Sequence, residues 1–252
     1  LTHCEIFIDI WYWRCPEDPV KEFAAFLAGQ PALVYLRVEV AHFTTETFYD
    51  VSDVIEMPSL RSMSIRVIAH EDPPSFVTAV SLPSIMEALK LPKLEILILE
   101  LAVAGGFELD KLFPQFNDYT ALKKLILSLF TEYEDDPRPI LSPLELVFTR
   151  MRNLEELALG AYAIGMPLSV PETTAQVPPL QKLCLFKLGI SIDSMLSVIQ
   201  HLNRGPHWSL FKELRIRRCP PLHEDTNWCS SLPPHELHKM HDELTIVFNH
   251  EK

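Results

Sequence analysis

The sequence predicts an α/β chain folded as a solenoid, with parallel strands on its concave face and helices on its convex face. Three observations lead there. A short apolar template recurs along nearly the whole chain. Helix signals fill several of the gaps between its copies. Glycine is scarce, which argues against the main competing α/β architecture.

The template is an apolar residue, two of any kind, a second apolar residue, one of any kind, and a third apolar residue. Leu33-Leu36-Val38, Leu60-Met63-Ile65, Leu94-Leu97-Leu99 and Leu122-Leu125-Leu127 fit it. So do Leu154-Leu157-Leu159, Leu180-Leu183-Leu185 and Phe211-Leu214-Ile216. Leu1-Cys4-Ile6 fits at the start, and His241-Leu244-Ile246 is a degenerate copy at the end. Eight steps cover 240 residues, a mean of 30 per step. Each copy closes on an alternation of apolar and other residues, the period of a strand with one buried face.

The gaps carry helix signals. Asp18 can cap a helix that has Pro19 at its first position. Val20, Phe23, Ala24 and Leu27 then form an apolar stripe at helical spacing. Ser84 with Glu87, and Ser142 with Glu145, have the spacing of capping boxes. Ile192, Met195, Leu196, Ile199 and Leu202 form a second stripe. Leu109, Leu112, Phe113 and Phe116 form a third, which Pro114 would shorten or kink. One strand-and-helix unit cannot bury its own apolar face, so the units must stack around a common core. Residues 1–252 are therefore expected to form a single domain of about nine units. The competing architecture is a doubly wound α/β sheet. With seven glycines and no glycine-rich phosphate loop after any strand, the sequence does not favour it.

The template, for example Leu94-Glu-Ile-Leu97-Ile-Leu99, resembles the leucine-rich-repeat family over nearly the whole chain. That family places Asn or Cys three residues after the third apolar position, where the side chain ties neighbouring turns together. Here Ala41, Ile68, Ala102, Phe130, Tyr162 and Leu188 hold those positions, and only Cys219 matches. The resemblance therefore implies an irregular solenoid with uneven turns. Pro-x-Leu sequences lead into several strands: Pro31-Ala-Leu33, Pro58-Ser-Leu60, Pro92-Lys-Leu94 and Pro178-Pro-Leu180. In this the chain is similar to the repeat regions of fungal F-box proteins. That likeness implies capture of a protein substrate for an SCF-type ubiquitin ligase, with an F-box docking on a Skp-type adaptor. Leu82-Pro83 resembles the opening of an F-box, but no suitable helix bundle follows it. The chain opens in mid-pattern at Leu1, which reads as a piece of a longer or processed polypeptide. An F-box would then lie outside it. The alternative is a regulatory or recognition repeat module unrelated to ubiquitination.

Composition narrows the partners. Hydrophobic residues make up 48% and charged residues 22%, an ordinary globular balance. The net charge of −12 repels nucleic acid and anionic lipid, leaving room only for a local basic patch. No apolar run reaches the roughly 18 residues that would span a bilayer. Five cysteines without a CxxC pair point to a reducing compartment, hence the cytoplasm or nucleus.

No catalytic motif, cofactor or metal site is expected. HExxH, GxSxG, GxGxxG and Walker-type sequences are absent. Cys219, His223, Cys229, His235, His238 and His241 gather the ligand types that zinc prefers. Their spacing matches no known finger, and on a helix the third histidine would rotate away from the first. That segment reads instead as a solvated capping helix. Glu132 to Asp136 reads as a solvated acidic loop, without calcium-loop spacing. The connections 71–83, 131–143 and 161–179 read as long loops.

The expected function lies on the strand face. Residues alternating with the apolar template point out of the core. In the middle of the chain these are Ile96, Ile98, Ile126, Ala158, Cys184 and Phe186, an apolar track. Tyr35, Arg37, Glu39 and Arg66 flank it on one side, Arg215 and Arg217 on the other. An apolar patch rimmed by polar groups marks a protein-binding site. The candidate contacts are Tyr35, Arg37, Glu39, Arg66, Ile96, Ile98, Ile126, Phe186, Arg215 and Arg217. The competing reading has helices or long loops covering this track, since a buried parallel sheet also reads as continuous hydrophobics.

Overall fold

The computed structural model describes residues 1–9, 19–41, 54–68, 86, 88–102, 112–114, 117, 119–130, 143–162, 168–170, 177–186, 188, 192–217, 235–240 and 243–248. In chain order the elements begin with β1 (His3–Asp9), α1 (Pro19–Ala28), β2 (Tyr35–Ala41), β3 (Ile55–Glu56) and β4 (Ser62–Ile68). Next come β5 (Leu89–Lys90), β6 (Ile96–Ala102), β7 (Lys124–Phe130), α2 (Pro143–Arg150) and β8 (Glu156–Tyr162). The last are β9 (Lys182–Phe186), α3 (Ile192–Arg204), β10 (Glu213–Arg217), β11 (His235–Met240) and β12 (Glu243–Phe248).

Ten strands form one sheet in the order β1-β2-β4-β6-β7-β8-β9-β10-β12-β11. From β1 to β10 every pair is parallel, and order in space follows order in the chain. A doubly wound sheet reverses its strand order at a switch point; this sheet does not. The fold is mixed α/β with a mostly parallel sheet.

Two expectations fail at the C-terminal end. The ninth template copy, expected as a further parallel strand, is β12, which runs antiparallel to β10. The histidine segment expected as a capping helix is strand β11, paired antiparallel with β12. Alternation fixes which side chains face the core but not the direction of the strand, and the histidines' three-residue spacing says nothing about pairing.

The template residues form the core. Leu33, Leu36, Leu60, Met63, Leu94, Leu97, Leu99, Leu122 and Leu125 are all fully buried. One contiguous apolar cluster runs from Leu27 to Phe248. Full burial of each such side chain contributes about 1.5–3 kcal/mol. The helices supply the other wall. Helix α3 turns Met195, Val198, Ile199 and Leu202 inward, and α2 turns in Leu144, Val147 and Phe148. In the first half, two gaps also carry short strands, β3 and β5, which pair parallel as a separate sheet.

Backbone bonds hold neighbouring units in register. The residue before each strand accepts two amides from the next unit through its carbonyl. Val34 receives Arg61 N–H at 2.9 Å and Ser62 N–H at 3.1 Å. Arg61, Glu95, Lys123, Glu155 and Gln181 do the same for their successors. On the opposite side, Asn117 is 4% exposed and ties two segments together. It accepts from Leu91 N–H at 3.0 Å and donates to the Leu89 carbonyl at 2.7 Å. Arg150 of α2 donates to the carbonyls of Phe113 and Pro114.

The acidic stretch 132–136, the connection 71–83, most of 131–143, and Cys219, His223, Cys229 and His241 lie outside the described residues. Among the described residues, no helix is long and apolar enough to cross a membrane.

Candidate protein interface

On the outward face, in-register pairing lines the alternate residues into three rows across the strands. The first runs Tyr35, Ser62, Ile96, Lys124, Glu156, Lys182 and Glu213. The second runs Arg37, Ser64, Ile98, Ile126, Ala158, Cys184 and Arg215. The third runs Glu39, Arg66, Glu100, Ser128, Gly160, Phe186 and Arg217.

The structure brings all ten sequence-nominated residues onto this one face. The apolar track is half-buried rather than sealed: Ile96, Ile98, Ile126, Ala158, Cys184 and Phe186 all keep solvent contact. Their chain neighbours Leu97 and Leu99 are fully buried. Adjacent residues on one strand thus sit in opposite environments, as the pleat requires.

The first half of the face is cross-linked by charge. Arg37 pairs with Glu39 at 2.5 Å. Arg66 reaches Glu100 at 3.1 Å and Glu39 at 4.0 Å, joining three strands. The hydrogen bond from Arg37 to Glu39 raises the guanidinium pKa above its ordinary value. His3 stacks on Tyr35 with ring centroids 5.9 Å apart. Phe7, on β1, is 62% exposed at the end of this face.

The second half holds a groove of about 270 Å³ over β7–β10. Ala158 and its flanking neighbours Ile126 and Cys184 form the floor. Lys124, Glu156, Lys182, Glu213 and Arg215 form the rim. Glu156 sits between two lysines, its oxygens 3.0 Å from Lys124 Nζ and 3.2 Å from Lys182 Nζ. The Lys124 bond, followed by burial acting the other way and then Lys182, holds its carboxyl below the usual range. Arg215 pairs with Glu213. Phe186 lies across Gly160, so that a Cβ added there would run into its ring.

Sequence reasoning placed Ala158 in the apolar track and left Lys124, Glu156 and Lys182 out of the candidate contacts. The available signal was a small residue in mid-row between Ile126 and Cys184, with charges two positions upstream on three successive strands. It also passed over the row before the strands, where Arg61 pairs with Glu95 at 2.6 Å and Gln181 donates to Glu155 at 3.0 Å.

No described group of three or more His, Cys, Asp or Glu side chains is placed to hold a metal ion. Cys4 and Cys184 form no disulfide. Compared with known proteins, the chain matches no family model, no curated protein and no solved structure.

Proposed function

We propose that this chain is a protein-interaction scaffold, an irregular leucine-rich-repeat solenoid whose strand face receives a partner protein. One observation carries the reading: Ile96, Ile98, Ile126, Ala158 and Cys184 form a half-exposed apolar track on a face otherwise lined by charge. Exposed apolar surface costs free energy unless a partner covers it, and a charged rim gives that partner a register. Rigid strands hold the row in place without a ligand, so little ordering is needed on binding.

Within that reading, the partner is a substrate for an SCF-type ubiquitin ligase, and the adaptor is contacted through an F-box outside this chain. This finer assignment rests on the Pro-x-Leu strand approaches and on their likeness to fungal F-box repeat regions. It places the protein in the cytoplasm or nucleus. A repeat module with a regulatory or recognition role unrelated to ubiquitination is the competing assignment.

A pair of neighbouring substitutions tests the scaffold. Ile98→Asp should weaken partner capture by at least about tenfold and cost stability only about 1 kcal/mol. Leu97→Asp should unfold the chain, because it puts an unpaired carboxylate into the core. Circular-dichroism melts of both variants check this, and equal losses would remove the face assignment. Affinity capture of the full-length gene product from native lysate tests the ligase role. Recovery of a Skp-type adaptor and a cullin supports it, whereas reproducible recovery of other partners without them discards it.

A further inference from the structure

The two halves of the open face differ in charge. Among the described side chains of β1, β2, β4 and β6, with the residue before each strand, Arg37, Arg61 and Arg66 stand against Glu5, Glu39, Glu95 and Glu100, a balance of −1. On β7–β10 the same positions hold Lys123, Lys124, Lys182, Lys212, Arg215 and Arg217 against Glu155, Glu156 and Glu213, a balance of +3. The whole chain carries −12, so the excess of cations is local. Three of these cations, Lys124, Lys182 and Arg215, line the groove floored by Ile126, Ala158 and Cys184, against Glu156 and Glu213.

Resting on the scaffold reading, we infer that this groove takes an acidic peptide segment of the partner centred on a large aliphatic or aromatic residue. The apolar residue fills the dip over Ala158, the smallest side chain between Ile126 and Arg215 in its row. Carboxylates on either side of it meet Lys182 and Arg215, whose side chains are each 51% exposed. The two lysines beside Glu156 share one carboxylate, so the rim favours added negative charge. Nucleic acid fits less well. Its phosphates ask for a continuous cationic track, whereas Glu156 and Glu213 interrupt this rim and the floor is apolar.

The test is fluorescence anisotropy of the whole chain with the fluorescein-labelled peptide Asp-Glu-Leu-Phe-Glu-Asp at low salt. Two control peptides replace either the four acidic residues by Lys and Arg, or Leu-Phe by Ser-Ser. The acidic apolar peptide should bind at least about tenfold more tightly than either control, and more weakly as salt rises. Lys182→Glu with Arg215→Glu, both on the solvent side, should weaken it about tenfold with the melting curve unchanged. Ala158→Trp should block it by filling the dip. The inference is overturned if the basic peptide binds as well as the acidic one or if neither variant alters binding. It is equally overturned if no binding occurs, or if single-stranded oligothymidylate outcompetes the peptide. Should Ala158→Trp block a basic peptide instead, the charge class falls and the scaffold stands. Should Ile98→Asp leave partner capture untouched, the scaffold falls as well.

Discussion

The first and second halves of the open face share one backbone plan and differ in what their side chains do. In the first half, Arg37 pairs with Glu39 along β2, and Arg66 bridges Glu39 and Glu100 on the strands to either side. In the second, lysines and arginines outnumber carboxylates around a groove. The pairing is parallel and in register throughout both. The paired amides accepted before each strand recur in both as well. Backbone bonding and the buried template therefore set the stack, and the outward rows are free to satisfy themselves or to await a partner.

The largest test of that comparison is at its boundary. Asn117 bonds the main chain on both sides of Lys90, just ahead of β6, from a position just ahead of β7. Asn117→Ala leaves the Leu91 N–H and the Leu89 carbonyl without this partner in a buried site. The expected loss is about 2 kcal/mol. Hydrogen exchange should show the loosening around β5 and β6 while β9 and β10 keep their protection.

A smaller effect belongs to the second half alone. His201 of α3 is 6% exposed and stacks on Phe148 of α2, centroids 5.7 Å apart and rings 8° from parallel. Burial, and then the charge of Arg204, lower its pKa from 6.5. The unfolded chain therefore binds a proton at a pH where the folded chain does not, so stability falls as pH falls through 6.5 towards the folded value. Above that window the two states bind equally and the effect vanishes. His201→Phe should keep the stack and flatten the dependence of melting temperature on pH in that window. An unchanged slope would place its origin elsewhere.

The smallest effect is in the first half. Arg66→Ala should cost about 0.5 kcal/mol or less, because its carboxylate partners are reached at the solvent surface. Peptide binding at the second-half groove should be unchanged. A large loss of stability there would mean that the charge network, rather than the backbone ladder, holds the first strands together.

Much of this arrangement was legible in the sequence because burial writes itself as alternation. Leu97 and Ile98 are adjacent, both aliphatic, and yet were assigned opposite faces from the template alone; the structure places them so. Other features leave no periodic mark. The reversal of β12 is invisible because a period of two reads the same in either direction. The tie made by Asn117 is one polar residue reaching 26 and 28 positions back, with nothing local to announce it. The groove arises from the contrast of Ala158 with neighbours 32 residues before it and 26 after, and becomes visible once the register is known.

The neighbour-only ladder has a mechanical consequence. Each strand of the ten-stranded sheet from β2 to β9 is bonded to the unit before it and the unit after it in the stack. Tension applied across the stack loads one ladder at a time, at an end, as opening a zipper does. It does not shear many bonds together. Under load the chain should lengthen in steps, one unit released per step, with the remaining units still standing as a shorter spring.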